Sequence, residues 1–203
     1  MNAISRPGPR RGGSLQQRTK ERMLEEATDI AIRLFLEQGF EETTVDDLCA
    51  AMGLSRRSFF RYFKAKEDVV LLFIRDFGVQ GCRIFTARPA DEGLLPALRH
   101  SMDPFIEYVN AEPARTLALM RLIQGSPILR AGHLDRLDRW RAGLAAVIAE
   151  RQGLPAADLS CGTIAAASMG VFNAVVQEWT NREGAVPLAD LFDQAFDILA
   201  TMA

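Results

Sequence analysis

"GLSRRSFFRYFKAKED", Gly53 to Asp68, decides how the chain is read. It holds three Arg, two Lys, three Phe and a Tyr, and no acid precedes Glu67. Gly53 suits a helix end, because glycine enters the left-handed backbone region without steric cost. Ser55 suits the N-cap of a new helix. The stretch therefore predicts a short helix over about 56–63 that is positive and aromatic together. Leu54, Phe59 and Phe63 are spaced to point inward, which turns Arg56, Arg57, Phe60 and Arg61 outward. An exposed Phe between arginines marks a surface that meets a partner. The bland alternative is that the arginines only solvate an outer face and Phe60 fills a gap.

Upstream, Thr44 precedes "VDDL" and can cap a helix, with Asp47 at the third position in a capping-box arrangement. Val45, Leu48 and Met52 form one apolar edge, and Gly53 closes the helix. Two short helices separated by three residues, one of them glycine, describe a helix-turn-helix. Earlier still, Met23, Ala27, Ile30, Ala31, Leu34 and Phe35 repeat at helical spacing and predict a helix over about 19–38, stopped by Gly39. Residues 1–14 are rich in Gly, Pro and Arg, and 1–17 read as a flexible basic arm. Arg10 and Arg11 either enter a DNA minor groove, as some arms do, or belong to a solvated tail.

Overall charge is uninformative, with 24 Lys and Arg against 26 Asp and Glu in 203 residues. Its distribution is not. Residues 1–22 carry six basic groups and one acid, and residues 53–66 carry five basic groups and none acidic. From Asp68 onward there are 12 basic and 16 acidic residues. Positive charge thus collects in the N-terminal third, where one face can track phosphates. A helix in the major groove reaches base edges with its N-terminal residues, and Arg can fork onto guanine.

Hydrophobic residues make up 48% of the chain, enough for a buried core. The three cysteines, Cys49, Cys82 and Cys161, are odd in number and widely spaced, with no CxxC and no His cluster, so neither a disulfide framework nor a metal site is expected. No cofactor motif is visible either. The start lacks an apolar signal region, and no uninterrupted apolar run nears the roughly 20 residues of a membrane span, so no membrane partner and a cytoplasmic location are expected. No GxGxxG, P-loop, HExxH or GxSxG is present, and the two His stand 33 residues apart, so the chain reads as a non-enzyme.

"TTVDDLCAAMGLSRRSFFRYFKAKEDVV" resembles the DNA-binding signature of the TetR family of bacterial regulators. The resemblance covers about residues 18–72, where turn, cap, aromatics and the following Lys-Glu-Asp fall in register. It implies an all-α homodimer of about nine helices. A helix-turn-helix DNA-binding domain (18–66) would precede a helical ligand-binding and dimerisation domain (67–203). It implies base-edge or backbone contacts from Arg56, Arg57 and Ser58, a groove-facing Phe60 and Arg61, and phosphate contacts from Tyr62 and Lys66, with Thr44 adding another. Phe60 replaces the Tyr of many members, which removes a hydroxyl. Ala65 replaces a Ser or Asn that often caps the fourth helix, which at about 1 kcal/mol predicts a fraying first turn.

The remaining periodicity predicts helices over about 66–85, 94–110 with a kink or break at Pro104, 112–124, 129–152, 159–181 and 187–202. Small residues line much of 159–181. Leu188, Leu191, Phe192, Ala195, Phe196 and Leu199 form one stripe on the last helix. By the resemblance this pair meets its two-fold mate; the alternative is packing within the chain. Candidate ligand contacts are His100, Phe105, Tyr108, Met120, Arg121, Met169, Phe172 and Asn173, with Met102 and Trp179 beside them, each equally readable as core. Met120–Glu150 is similar to the ligand-domain segment of the mycofactocin-regulator type, which implies an acyl-CoA-like effector. Such a head group needs cations: Arg115, Arg121 and Arg130 are candidates, or they pair with nearby acids. The expected function is a ligand-responsive repressor released from a palindromic operator by a small hydrophobic or acyl-CoA-like effector. The alternative is a helical DNA-bound activator or adaptor without a small ligand.

Overall fold

The computed structural model describes residues 15–73, 76–155 and 157–202, and every described element is helical. Arg10 and Arg11 lie outside the described residues. The chain divides into two units: residues 1–74 with 122–132, and residues 75–121 with 133–203.

The first unit is built on α1 (Leu15–Gln38), α2 (Val45–Met52), α3 (Arg56–Tyr62) and α4 (Lys66–Phe73). α1 begins inside the expected basic arm, at Leu15. Its Ala27, Ala31, Ile32 and Phe35 are buried, and it ends at Gly39, whose N–H donates to Phe35 O at φ +91°. α2 is closed at both ends by its sequence. Thr44 accepts from Asp47 N while the Asp47 carboxylate accepts from Thr44 N, a complete capping box. Gly53 adopts φ 65°, donating to Ala50 O while Leu54 N donates to Cys49 O. Those two bonds satisfy carbonyls that the last turn leaves open. Ser55 then caps α3, accepting from Ser58 N. Phe35, Leu48, Phe59 and Phe63 are fully buried, and Phe59 and Phe63 stack with centroids 5.1 Å apart.

α4 differs from expectation at its start. Ala65 offers no cap, but Asp68 Oδ2 accepts from both Lys64 N (2.7 Å) and Ala65 N (3.2 Å). The acid of the Lys-Glu-Asp run thus makes the reverse half of a capping box, tying the chain that enters α4 to its first turn, although no hydroxyl replaces the one Ala65 lacks. Val69, Val70 and Leu71 are buried, which carries this unit past the expected boundary at 66. Residues 122–132 belong to it as well: Ser126 Oγ donates to Glu41 Oε1 (3.1 Å), and Leu71 fills the space where a side chain at Gly132 would stand.

The second unit holds α5 (Asp76–Ala87), α6 (Leu94–His100), α7 (Asp103–Ala111), most of α8 (Pro113–Gly125) and α9 (Pro127–Gln152), α10 (Leu159–Asn181) and α11 (Leu188–Met202). The expected helix over 66–85 is described as α4 and α5 on either side of residues 74–75. Pro104 breaks the 94–110 segment as predicted, sitting in the first turn of α7, where its missing N–H costs nothing. α10 buries Cys161, Ala165, Ser168, Phe172, Val175, Val176 and Trp179 along one face. It alone among the described helices has the length and apolar content of a membrane span, yet Asn173, Gln177 and Glu178 stand exposed on its other side. The α11 stripe packs within the chain: Leu188, Leu191, Phe192 and Phe196 are buried, and α11 lies against α6, α7 and α10. Among the small and apolar residues that α10 and α11 leave exposed are Ala166, Ala167, Gly170, Ala174 and Ile198.

Candidate nucleic-acid interface and apolar pocket

Ser55 caps α3 by accepting from Ser58 N, and the buried Phe59 fixes which face points away from the core. Phe60 is 49% exposed and touches Phe59 edge-on. Arg57 is exposed and has no hydrogen bond or ion pair among the described residues. Ser58 is half-buried, linked to the Ser55 hydroxyl at 3.1 Å. Arg61 Nη2 donates to the Tyr62 hydroxyl at 2.7 Å, with its guanidinium carbon 4.6 Å from the Tyr62 ring centroid. Arg56 Nη1 lies 2.7 and 2.8 Å from the two oxygens of Asp46, on the neighbouring helix. The face therefore offers one unengaged cation, two steered ones and an apolar ring.

Two expected phosphate contacts are engaged elsewhere. Lys66 Nζ donates to the carbonyls of Phe40 (2.6 Å), Glu41 (3.2 Å) and Thr43 (3.2 Å), and sits 4.4 Å from the Phe40 ring centroid. An ammonium has three protons, and all three are taken. The expectation that Lys66 holds a phosphate is replaced by a staple across the α1–α2 loop. Thr44 is exposed, but its hydroxyl and its N–H both donate to Asp47 Oδ2. These bonds, the side-chain one first, hold the Asp47 carboxyl below its ordinary value.

In the second unit, Phe77, Gly78, Gly81, Cys82, Ser101 and Met102 meet Phe105, Trp140, Leu144, Met169 and Phe172 around a narrow cleft with a cavity volume of about 30 Å³. The glycines make it possible. A side chain at Gly78 would collide with the Trp140 indole, and one at Gly81 would meet the Ser101 carbonyl at 2.5 Å. The rings form a continuous chain of edge-on and tilted contacts, with centroids 5.4 Å apart for Phe77–Phe105, 5.1 Å for Phe105–Phe172 and 5.7 Å for Trp140–Phe172. Among the described residues, no charged side chain lines it.

Of the expected ligand contacts, Phe105, Met169 and Phe172 line this pocket, and Tyr108 stands behind it, its ring 5.2 Å from that of Phe77. The others lie elsewhere. His100 faces two acids, its Nδ1 3.1 Å from Asp103 and its Nε2 4.0 Å from Glu92. Met120 is packed in the core, Asn173 is exposed on α10, and exposed Arg121 pairs with Glu183 at 3.0 Å. Phe77, Trp140 and Cys82 do not stand out in the sequence; the glycines spaced three apart on α5 are the available signal. Among the described residues, no cluster of three or more His, Cys, Asp or Glu has the arrangement of a metal site.

Comparison with known proteins finds likenesses over both parts of the chain. Residues 28–72 match the family described as bacterial regulatory proteins, tetR family, and residues 92–203 match the MftR C-terminal domain. The HTH-type transcriptional regulator TcmR of Streptomyces glaucescens is 32% identical over 197 residues, spanning 93% of this chain and 87% of that protein. MftR of Mycobacterium tuberculosis is 29% identical over 172 residues, covering 85% of this chain and 86% of its own. FadR from Bacillus subtilis, solved with stearoyl-CoA, superposes with a TM-score of 0.61 over 86% of this chain and 96% of its own at 16% identity, a likeness of fold. With more than half its length matched by one domain model, a helix-turn-helix matched by another, and regulators as its relatives, this chain belongs to the TetR family of bacterial transcriptional regulators.

Proposed function

We propose that the protein is a cytoplasmic, homodimeric repressor that binds a palindromic operator and leaves it when a small hydrophobic effector enters the second unit. The observation that carries the DNA reading is the capped, acid-free α3 that turns Arg57 and Phe60 outward. Arg56, Arg57 and Arg61 read base edges, Ser58 and Tyr62 fix the helix against the backbone, and Phe60 covers an apolar base edge such as a thymine methyl. Thr44 contributes through its position at the first turn of α2, where N–H groups favour phosphate. One recognition helix gives too few contacts for a long site, so two copies read half-sites about 34–36 Å apart. The exposed small residues of α10 and Ile198 of α11 form the pairing face.

The pocket supports the effector half. Its uncharged aromatic lining suits an apolar ligand better than a CoA head group, since Arg115 is paired with Glu112 and Arg121 with Glu183. An adaptor working without a small ligand has no need of such a cleft. An effector releases DNA by no more than its preference for the DNA-incompetent state.

Selection of bound duplexes from a random pool tests the DNA half: enrichment of a palindrome supports it, and no enrichment sinks it. Titration of the bound complex with apolar aromatic compounds tests the other half through dose-dependent release.

A further inference from the structure

Asp46 and Asp47 stand side by side in the first turn of α2 and take opposite partners. Asp47 folds back on Thr44. Asp46 reaches across the turn to α3, where Arg56 Nη1 sits astride both of its carboxylate oxygens, at 2.7 and 2.8 Å. On its other side the Arg56 guanidinium carbon is 5.9 Å from the Phe60 ring centroid. The side chain is thus held from two directions. Its Nε and Nη2 groups make no hydrogen bond among the described residues, and that edge is one that Arg uses to grip two acceptors together.

Both partners remain largely exposed, at 61% and 68% of their side chains, so the pair adds little to folding. A carboxylate beside a phosphate-tracking helix also weakens general attraction to DNA. Neither stability nor raw affinity accounts for it. Orientation does: a free Arg has many rotamers to lose on binding, and a pinned one has fewer.

We infer that Asp46 is a positioning residue for base readout, holding Arg56 so that its Nε–Nη2 edge meets the O6/N7 edge of a guanine in the major groove. This rests on the DNA-binding reading above. The test is selection from random duplexes with the full-length wild type, R56A, D46N and D46N/R56A, followed by affinities for the selected and a random duplex at one salt concentration. R56A is expected to lose preference at one base pair per half-site. D46N is expected to lose about tenfold of the discrimination at that same base pair, while binding random DNA more tightly than wild type. The double variant should be no worse there than R56A, and the unfolding midpoint of D46N should match wild type. If D46N keeps full preference at the position R56A loses, Asp46 does not position Arg56. If R56A alters no base position, Arg56 is not a reader and the inference fails at its root. A wild type that enriches no sequence removes the underlying reading as well, and is distinguished because it appears before any variant is compared.

Discussion

The Trp140 indole occupies the space that a side chain at residue 78 would need, so α5 and α9 can pack at their present distance only with glycine at that point. Gly78→Ala therefore sets two effects against each other. Alanine raises helix propensity by about 1 kcal/mol. Overpacking against a ring in a crowded site costs about 1–3 kcal/mol. The net expectation is destabilisation, with a lower denaturation midpoint and loss of effector binding as the displaced indole enters the pocket. A midpoint at or above wild type would mean that Trp140 moves aside without cost.

Lys66→Met keeps the length of the side chain and removes its three donors. The carbonyls of Phe40, Glu41 and Thr43 lose their partner, which is expected to lower stability by about 1–3 kcal/mol in denaturant titration. The salt dependence of operator binding separates this role from a phosphate contact. A staple leaves the slope unchanged, whereas a phosphate contact reduces it by about one ion.

Arg57→Ala removes the cation of α3 that is not steered by a neighbour. Loss of about 1–3 kcal/mol of operator affinity is expected, with a much smaller loss on random DNA. Equal losses on both would make Arg57 a backbone contact.

His133 gives stability a pH dependence. Burial, reinforced by the Arg136 guanidinium, pushes its imidazole below the ordinary 6.5. The unfolded chain then takes up a proton that the folded chain refuses, so stability is complete above about 6.5 and declines as pH falls toward the folded value. Asp47, Asp158 and Glu92 are held below ordinary carboxylate values of 3.8, 3.8 and 4.5, so their contributions fade only at lower pH. Denaturation of wild type and His133→Gln from pH 5 to 8 checks this. The variant should lose the slope below about 6.5, and an unchanged slope would assign it to another group.

Much of this was legible because caps and breakers act locally. Thr44, Gly53 and Ser55 each bond within a few residues, so their roles follow from spacing, as does the span of α10. Legibility fails where a side chain chooses among partners brought together by tertiary structure. Asp46 and Arg56 are ten residues apart on different helices, and no period links them. Lys66 can reach a phosphate or a carbonyl with equal ease, and the α1–α2 loop decides. At Ala65 the residue type pointed to a missing cap, while Asp68, one turn onward, holds the N–H groups of Lys64 and Ala65 at the helix entrance. The pocket was half visible for a related reason: a ring on a helix looks the same whether it faces a neighbour or a void, and Trp140 fits against Gly78 on another helix.

Cys82 gives this arrangement a practical use. Cys49 and Cys161 are buried, while Cys82 is half-buried on the pocket wall, its thiol pushed up by burial and so held in its less nucleophilic form. Alkylation at that sulfur is therefore expected to be slow, and slower still when a guest fills the pocket. The rate at which a small maleimide labels this site thus offers a readout of pocket occupancy, without DNA and without foreknowledge of the guest.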